Sequence, residues 1–416
     1  MKNQRALCFF LLLLSINVAY GFEYRIELAV IEGKSVPGHE TLTSRGVDCF
    51  NEAKGIFPTN CLQKTSSLGL LNDKTSIPIP SILDLNAQEL LDASSFPDDP
   101  GRVAMTHLSG AKGFFLNEEK CLIRPWYQLG FGKKRRFFDN ITGGLFCNSH
   151  YGVLQFWHAM ASRPMPSEHA PVINDNEVEP YQVTLSKILG WAKFTYQISK
   201  DEDAKILRRE FCPFFEELKK DNDMRAMALA FKPNPETDIL PTKEQFHCEA
   251  ENPPFRVRFV FKQQCDGLVS AKKCDPIDDN AKGNRRIQIA ALGSLIHMVQ
   301  DSYSQSHVVR GQYDQANPTR INCSPVKAYL TYQGQDKDKH AASDGFPISM
   351  SPECSTSKID DPVTATARIL WFVSQNSDNA DNLIQYLKKS VFKPAYDDIG
   401  LAPNASPGKY FEPKEG

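Results

Sequence analysis

The chain has 416 residues, with 48 basic side chains against 50 acidic ones and 41% hydrophobic residues. That near-neutral balance gives no electrostatic case for coating nucleic acid or for binding a strongly anionic membrane surface, although Lys133, Lys134, Arg135 and Arg136 form a local basic run. The length admits one large domain or two smaller ones.

Lys2 and Arg5 precede an apolar run over 6–16, and Ala19, Tyr20 and Gly21 follow it. The run is too short to span a bilayer, so 1–21 reads as a secretory signal peptide, with the mature chain starting at Phe22 outside the cytoplasm. No later stretch reaches the roughly 18–20 apolar residues of a membrane helix, so no transmembrane anchor is expected. Loss of Cys8 with the signal leaves ten cysteines, an even number that in an exported chain implies up to five disulfides of unspecified connectivity.

Residues 22–31 alternate loosely and suit a short strand or the first turn of a helix. Residues 38–43, GHETLT, lead into SRGVDCFNEA at 44–53, which reads as a helix. From 62 to 99 the chain is rich in Ser, Pro and Asp, and reads as a loop-heavy surface region with one short helix over 86–93. Leu154, Trp157 and His158 fall at helical spacing, predicting a helix over 151–162 that stops before Pro164. Two helical patterns follow within 183–227, the second split or kinked by Pro213. RVRFVF at 256–261 alternates as a short strand or hairpin would. A helix from about 285 is expected to run on through 292–310, a last helical pair covers 362–375 and 379–391, and 398–416 reads as loop. The balance is mostly α-helical.

LGSLIHMVQDSYSQSHVVR at 292–310 is the most informative stretch. His297 and Asp301 are four apart, which stacks an imidazole and a carboxylate on one helical face. On a continuing helix His307 would sit about 80° round from His297, so that one helix could serve two neighbouring ions. His340 and Asp344 repeat the spacing of four. A lone histidine on a helix is more often a surface or satisfied core residue, but Ile296, Met298 and Val299 make this helix apolar, and an unpaired buried Asp301 would be costly there. A bound cation removes that cost, and imidazole and carboxylate are the ligands zinc takes. His107, His169 and His247 lie in polar, loop-like surroundings and read as surface residues. There is no GxSxG elbow, no HExxH, no GxGxxG and no phosphate-binding GxxxxGK[ST] loop.

His297, Asp301 and His307, followed by His340 and Asp344, resemble the pattern of the secreted zinc phospholipases C and the fungal single-strand nucleases, which share one helical fold. The resemblance covers the central and later part of the chain. It implies a zinc phospholipase C-like domain over 22–396, with a loop-rich, small-β insertion at about 162–284 and a tail over 397–416. It implies two or three zinc ions, with His297 and a bridging Asp301 on one and His307, His340 and Asp344 on the next. GHETLTSRGVDCFNEA is similar to the family's N-terminal segment, which makes His39 a ligand. Family members with an α-amine ligand begin on tryptophan, whereas this chain is expected to begin on Phe22, so Glu40 is a candidate substitute. Another role for Glu40 is helix capping.

RFFDNITGG at 136–144 resembles the family's HFYDP segment, with Arg136 standing where that has its histidine. It offers Asp139 to orient or deprotonate the attacking water. The missing histidine is sought at His158, with His150 as an alternative and Glu118 and Glu119 as replacements for Asp139. The implied activity is hydrolysis of phosphoglycerides, phosphatidylcholine first, at a membrane or micelle surface, to diacylglycerol and a phosphorylated head group. The insertion and the neighbourhood of Gly113, Phe114 and Phe115 are expected to supply a lid or lipid-facing rim. No nucleic-acid partner is expected. A single-strand nuclease on the same fold and a zinc-stabilised binding protein without activity are the alternatives.

Overall fold

In the computed structural model of the chain, the described residues are 38–62, 87–94, 97–98, 149–150, 152–162, 179–231, 256–261, 280–345, 349–377 and 379–412. The expected signal peptide, residues 22–31, Gly113, Phe114, Phe115, Glu118, Glu119, Arg136 and Asp139 lie outside them, as do His107, His169 and His247. The described chain is mostly helical, with one two-stranded antiparallel ribbon.

Nine helices are described: α1 (Gly38–Glu52), α2 (Ala87–Ser94), α3 (Tyr181–Ser199), α4 (Phe211–Leu218), α5 (Arg225–Ala230), α6 (Ala281–Asp301), α7 (Lys337–Asp344), α8 (Pro362–Ser374) and α9 (Ala380–Ser390). Strands β1 (Val308–Val309) and β2 (Ala328–Tyr329) lie between α6 and α7, pairing Val308 with Tyr329 and Val309 with Ala328. Among the described residues, no helix is long and apolar enough to cross a membrane.

Helix α6 is the axis of the fold. Asn280 caps it by accepting from the Gly283 amide at 2.8 Å, satisfying one of the amides left over at a helix start. From Ile287 onward it is buried on nearly every side, as a central helix is, with Gln288, Ser294, His297, Gln300 and Asp301 as its buried polar groups. Helices α2 and α3 pack against it, α8 packs on α1, and α3 carries α5 and α9. Gly293 allows the approach of α2. A Cβ built there would stand 2.2 Å from the carbonyl oxygen of Ala93, so only glycine lets the two backbones meet.

Several expected elements take other forms. Helix α6 begins at Ala281, ahead of 285, and ends at Asp301, so His307 is not on it. Ser302, Ser304 and Ser306 follow at once, and side chains of this type compete with helical backbone bonding. Buried Arg310 then closes the helix end, donating from Nε to the Ser302 carbonyl at 2.7 Å and from Nη1 to the Ser324 carbonyl at 3.1 Å. The chain thus folds back, and His307 returns beside the helix end.

The expected helix over 151–162 is only one 3-10 turn, Gln155–His158, ended by Ala159 in the left-handed region at φ 53°. Leu154, Gln155, Phe156, Trp157 and His158 are all buried, which leaves no solvent face for an amphipathic helix. RVRFVF is not a strand either. Val257–Phe261 is a 3-10 turn, whose three-residue period brings Val257 and Val260 to one side, and only Arg256 makes an isolated bridge, to Glu210. Val257, Val260 and Phe261 are buried, so this segment belongs to the core rather than to a lipid-facing rim. The ribbon therefore lies outside the expected insertion. In the second helical pattern only Phe211–Leu218 is regular, with Pro213 in the first turn, where an absent amide proton costs no helical bond.

Two disulfides link described residues, Cys49–Cys61 and Cys323–Cys354, and Cys212 is also disulfide-bonded. Behind the Gln155–His158 turn stands an aromatic wall. Trp157 stacks on Trp191 at 4.8 Å, and Trp191 in turn packs on Phe231 and Phe261. The Trp191 indole donates to Ser294 of α6 at 3.1 Å, which ties this wall, and with it His158, to the central helix.

Candidate metal centre

The last turns of α6 present His297 and Asp301 on one face, with His297 Nε2 2.9 Å from Asp301 Oδ2. Both side chains are fully buried. Three other parts of the chain bring groups to the same spot. His158 Nδ1 lies 2.9 Å from Asp301 Oδ2 and 3.0 Å from His297 Nε2. From α1, His39 stacks on the His297 ring with centroids 3.9 Å apart, and its Nε2 stands 3.2 Å from Asp301 Oδ1. Asp98 completes the set, with Oδ1 3.6 Å from His297 Nε2 and 3.8 Å from His158 Nδ1, and Oδ2 4.0 Å from His39 Nε2.

These separations have a simple geometric meaning. Two ligands held about 2.0–2.1 Å from a tetrahedral zinc lie about 3.3–3.4 Å from each other. Asp98 Oδ1, His158 Nδ1, His297 Nε2 and Asp301 Oδ2 are spaced 2.9–3.8 Å apart in the five pairs just given. They are four corners of such a cage. Asp301 turns its other oxygen to His39, so one carboxylate faces two ligand sets.

The second set stands next to it. His307 Nε2, His340 Nε2 and Asp344 Oδ2 are separated by 3.4, 3.4 and 2.6 Å, three corners of a second cage. His307 Nδ1 lies 3.5 Å from Asp301 Oδ2, which joins the two. Asp344 is oriented by its other oxygen, which accepts from the Ser304 hydroxyl and from the Ser306 hydroxyl at 2.6 Å. The serines that end α6 thereby support the second set.

His150 joins Asp98 and His158 in a third grouping of ligand-type residues, alongside His39 with His297 and Asp301, and His307 with His340 and Asp344. Its ring lies 4.6 Å from that of His158, and its Nδ1 is 3.0 Å from the Ser149 hydroxyl. Glu40 sits in the first turn of α1, where its charge acts on Asp98, and it falls outside the three groupings.

Fit to a cation is tested by what is buried without a partner. Both Asp98 oxygens are buried and make no hydrogen bond among the described residues. A carboxylate in that position is costly unless a charge compensates it. Nitrogen and oxygen donors arranged at ligand spacing meet that need, and they are donors zinc accepts. The histidines are also aimed by other groups, as ligand imidazoles usually are. His297 Nδ1 donates to the Ser94 carbonyl at 2.7 Å and His307 Nδ1 to the His158 carbonyl at 2.9 Å, which leaves Nε2 facing the carboxylates.

No family model, no curated protein and no solved structure matches this chain.

The charges of these buried groups act on one another's proton affinity. Burial alone pulls His39 down, but Asp301 and Asp98 outweigh it and hold the imidazole up at about 9. His307 is likewise raised to about 9 against burial, by Asp344 and Asp301. His297 goes the other way, pushed down to about 3 by burial and by the charge of His39 despite its contact with Asp301. Asp98 is raised well above the carboxylate range, first by burial and then by the neighbouring Asp301, against the pull of His39. Asp301 and Asp344 are lowered because the imidazoles around each outweigh its burial.

Of the residues singled out in the sequence, His39, His150, His158, His297, Asp301, His307, His340 and Asp344 are brought together, and Glu40 stays outside the groupings. Asp98 was missed, and 62–99 is not simply a surface loop region, since Pro97 and Asp98 are buried. A weak signal existed in the acid pair Asp98 and Asp99, set between Pro97 and Pro100 just after a short predicted helix.

Proposed function

We propose that this chain is an exported zinc-dependent phosphodiester hydrolase whose substrates are phosphoglycerides, phosphatidylcholine among them, split to diacylglycerol and a phosphorylated head group. One observation carries the metal reading: Asp98 and Asp301 lie buried among imidazole nitrogens at the spacing of zinc ligands, with the Asp98 oxygens making no hydrogen bond among the described residues. The phospholipid substrate and the export rest on the resemblance to zinc phospholipases C and on the N-terminal apolar run.

Bound zinc would supply a Lewis acid for the phosphate oxygens and lower the pKa of a water towards about 7. His158, His297, Asp98 and Asp301 would hold one ion, His307, His340 and Asp344 a second, and His39 with Asp301 a third. Three carboxylates, Asp98, Asp301 and Asp344, face these sets. Two zinc ions would bring four positive charges against those three negative ones, so the site keeps a positive balance for a phosphodiester. Asp301 would join these positions, with Oδ2 beside His158, His297 and His307 and Oδ1 beside His39. The Ser304 and Ser306 hydroxyls spend the second Asp344 oxygen and so hold its first towards His307 and His340.

The test offers purified protein phosphatidylcholine and single-stranded DNA, each after chelation and again after zinc is returned. Phosphocholine release that zinc restores is the expected result. Nucleotide release alone would move the reading to a nuclease on the same site. Zinc uptake with neither product would leave a metal-stabilised binding protein.

A further inference from the structure

Every imidazole that binds a metal through one nitrogen must dispose of a proton on the other. For His39 and His340 that partner is a glutamine side chain, and an amide can face either way. A flipped amide would offer its NH2 group and favour the wrong ring nitrogen, so something must fix its direction.

For Gln335 the fixing groups are carbonyls. Its Nε2 donates to the backbone oxygens of Ser306 at 2.8 Å and Pro407 at 2.9 Å, acceptors that have no proton to give. Only Oε1 can therefore face His340 Nδ1, with which it is bonded. For Gln300 the lock is one step longer. The Thr366 hydroxyl gives its proton to the Pro362 carbonyl at 2.8 Å, so towards Gln300 it can only accept, and it does so from Nε2 at 3.2 Å, while the Thr43 hydroxyl takes another Nε2 contact at 3.0 Å. Oε1 is left facing His39 Nδ1 at 2.8 Å.

We propose that Gln300 and Gln335 are positioning residues that set the Nδ1–H tautomers of His39 and His340, so that each ring keeps its Nε2 lone pair free for zinc, which it would bind together with the neighbouring carboxylate. The two act on different ligand sets: His39 Nε2 faces Asp301, and His340 Nε2 faces Asp344. Gln335 also recruits the C-terminal segment, because Pro407 supplies one of its acceptors. The inference rests on the metal reading above, and its test separates the two.

Histidine-labelled, metal-free protein is studied by nitrogen NMR at a pH where the imidazoles are neutral, with His39→Ala and His340→Ala assigning the signals. Both rings should carry the proton on Nδ1. Gln300→Leu should disturb only the His39 signal and Gln335→Leu only that of His340, and each should weaken zinc binding at its own set by about 10–100-fold in chelator competition. Gln300→Glu, which keeps an acceptor towards His39, should retain the Nδ1–H form and rescue most of the affinity. An Nε2–H proton in the wild type overturns the assignment, as does a Gln300→Glu variant that behaves like Gln300→Leu, or loss at all sets alike in both leucine variants. Wild-type protein that takes up zinc alongside unaffected leucine variants overturns the glutamine assignment alone. Wild-type protein that takes up no zinc overturns the metal reading, and the glutamines' purpose with it.

Discussion

Replacing Asp98 with asparagine separates a metal ligand from a packing residue, because the two roles predict opposite results. Without metal, the buried Asp98 carboxylate makes no hydrogen bond among the described residues and is raised well above the carboxylate range by its burial. An acid whose folded pKa is raised loses stability as pH climbs from its unfolded value, about 3.9, towards the folded one. The asparagine of Asp98→Asn has the same shape and no charge to bury, so the metal-free variant should be at least as stable as metal-free wild type at pH 7. Zinc reverses the order. With free zinc at about 100 times the wild-type dissociation constant, binding stabilises the wild type by about 2.7 kcal/mol. Loss of an outer support alone weakens metal binding about 10–100-fold, so about 100-fold is a modest figure for a ligand. At that figure the variant gains only about 0.4 kcal/mol from the same zinc. Urea unfolding with and without zinc measures both terms. A variant that is destabilised without metal yet keeps the full zinc increment would refute the ligand role.

Gly293→Ala touches no ligand, but its methyl would drive α2 away from α6 and carry Ser94, the support of His297, with it; unfolding should show a loss of about 1–3 kcal/mol, together with weaker zinc binding. His39 and His307, held at about 9, keep their protons in the metal-free site at pH 7.5. Adding zinc there should release protons, which a pH-stat would count, and none should be released if the metal binds elsewhere. The same shifts fix a window of stability. The contribution of these two histidines to the metal-free protein is full below about 6.5 and is lost as pH rises through about 9, so its urea midpoint should fall across that range. The Cys49–Cys61 disulfide, which ties the last turn of the helix that carries His39 to a residue 12 positions on, should contribute about 3 kcal/mol, measured as the unfolding difference between wild type and Cys49→Ser/Cys61→Ser.

The legible part of the site was the part built by local spacing. His297 with Asp301 and His340 with Asp344 are each one helical turn apart, and α6 and α7 place both pairs as that spacing implies. His307 was found for a reason that did not hold: a continuing helix would have carried it, whereas the serines after Asp301 end the helix and Arg310 folds the chain back. Asp98 was hard to read because little local marks it beyond the prolines beside it. It is positioned by a contact across the fold, where Gly293 lets α2 approach and the Ser94 carbonyl meets His297, 203 residues away. Gln300 and Gln335 were hidden in the same way, since an amide's direction depends on acceptors that only folding brings near it. Mistaken elements such as RVRFVF share another cause. Their alternation suggested one buried and one exposed face, but neighbours bury Val257, Arg258, Val260 and Phe261 alike.

The central claim is that these carboxylates and histidines form one polynuclear metal centre, and anomalous diffraction at the zinc edge from zinc-loaded crystals tests it most directly. The account predicts one peak among Asp98, His158, His297 and Asp301 and another among His307, His340 and Asp344, each about 2.0–2.2 Å from the facing nitrogen and oxygen atoms. Zinc-loaded crystals with no peak at either place, and these histidines bonded only to protein groups, would contradict it.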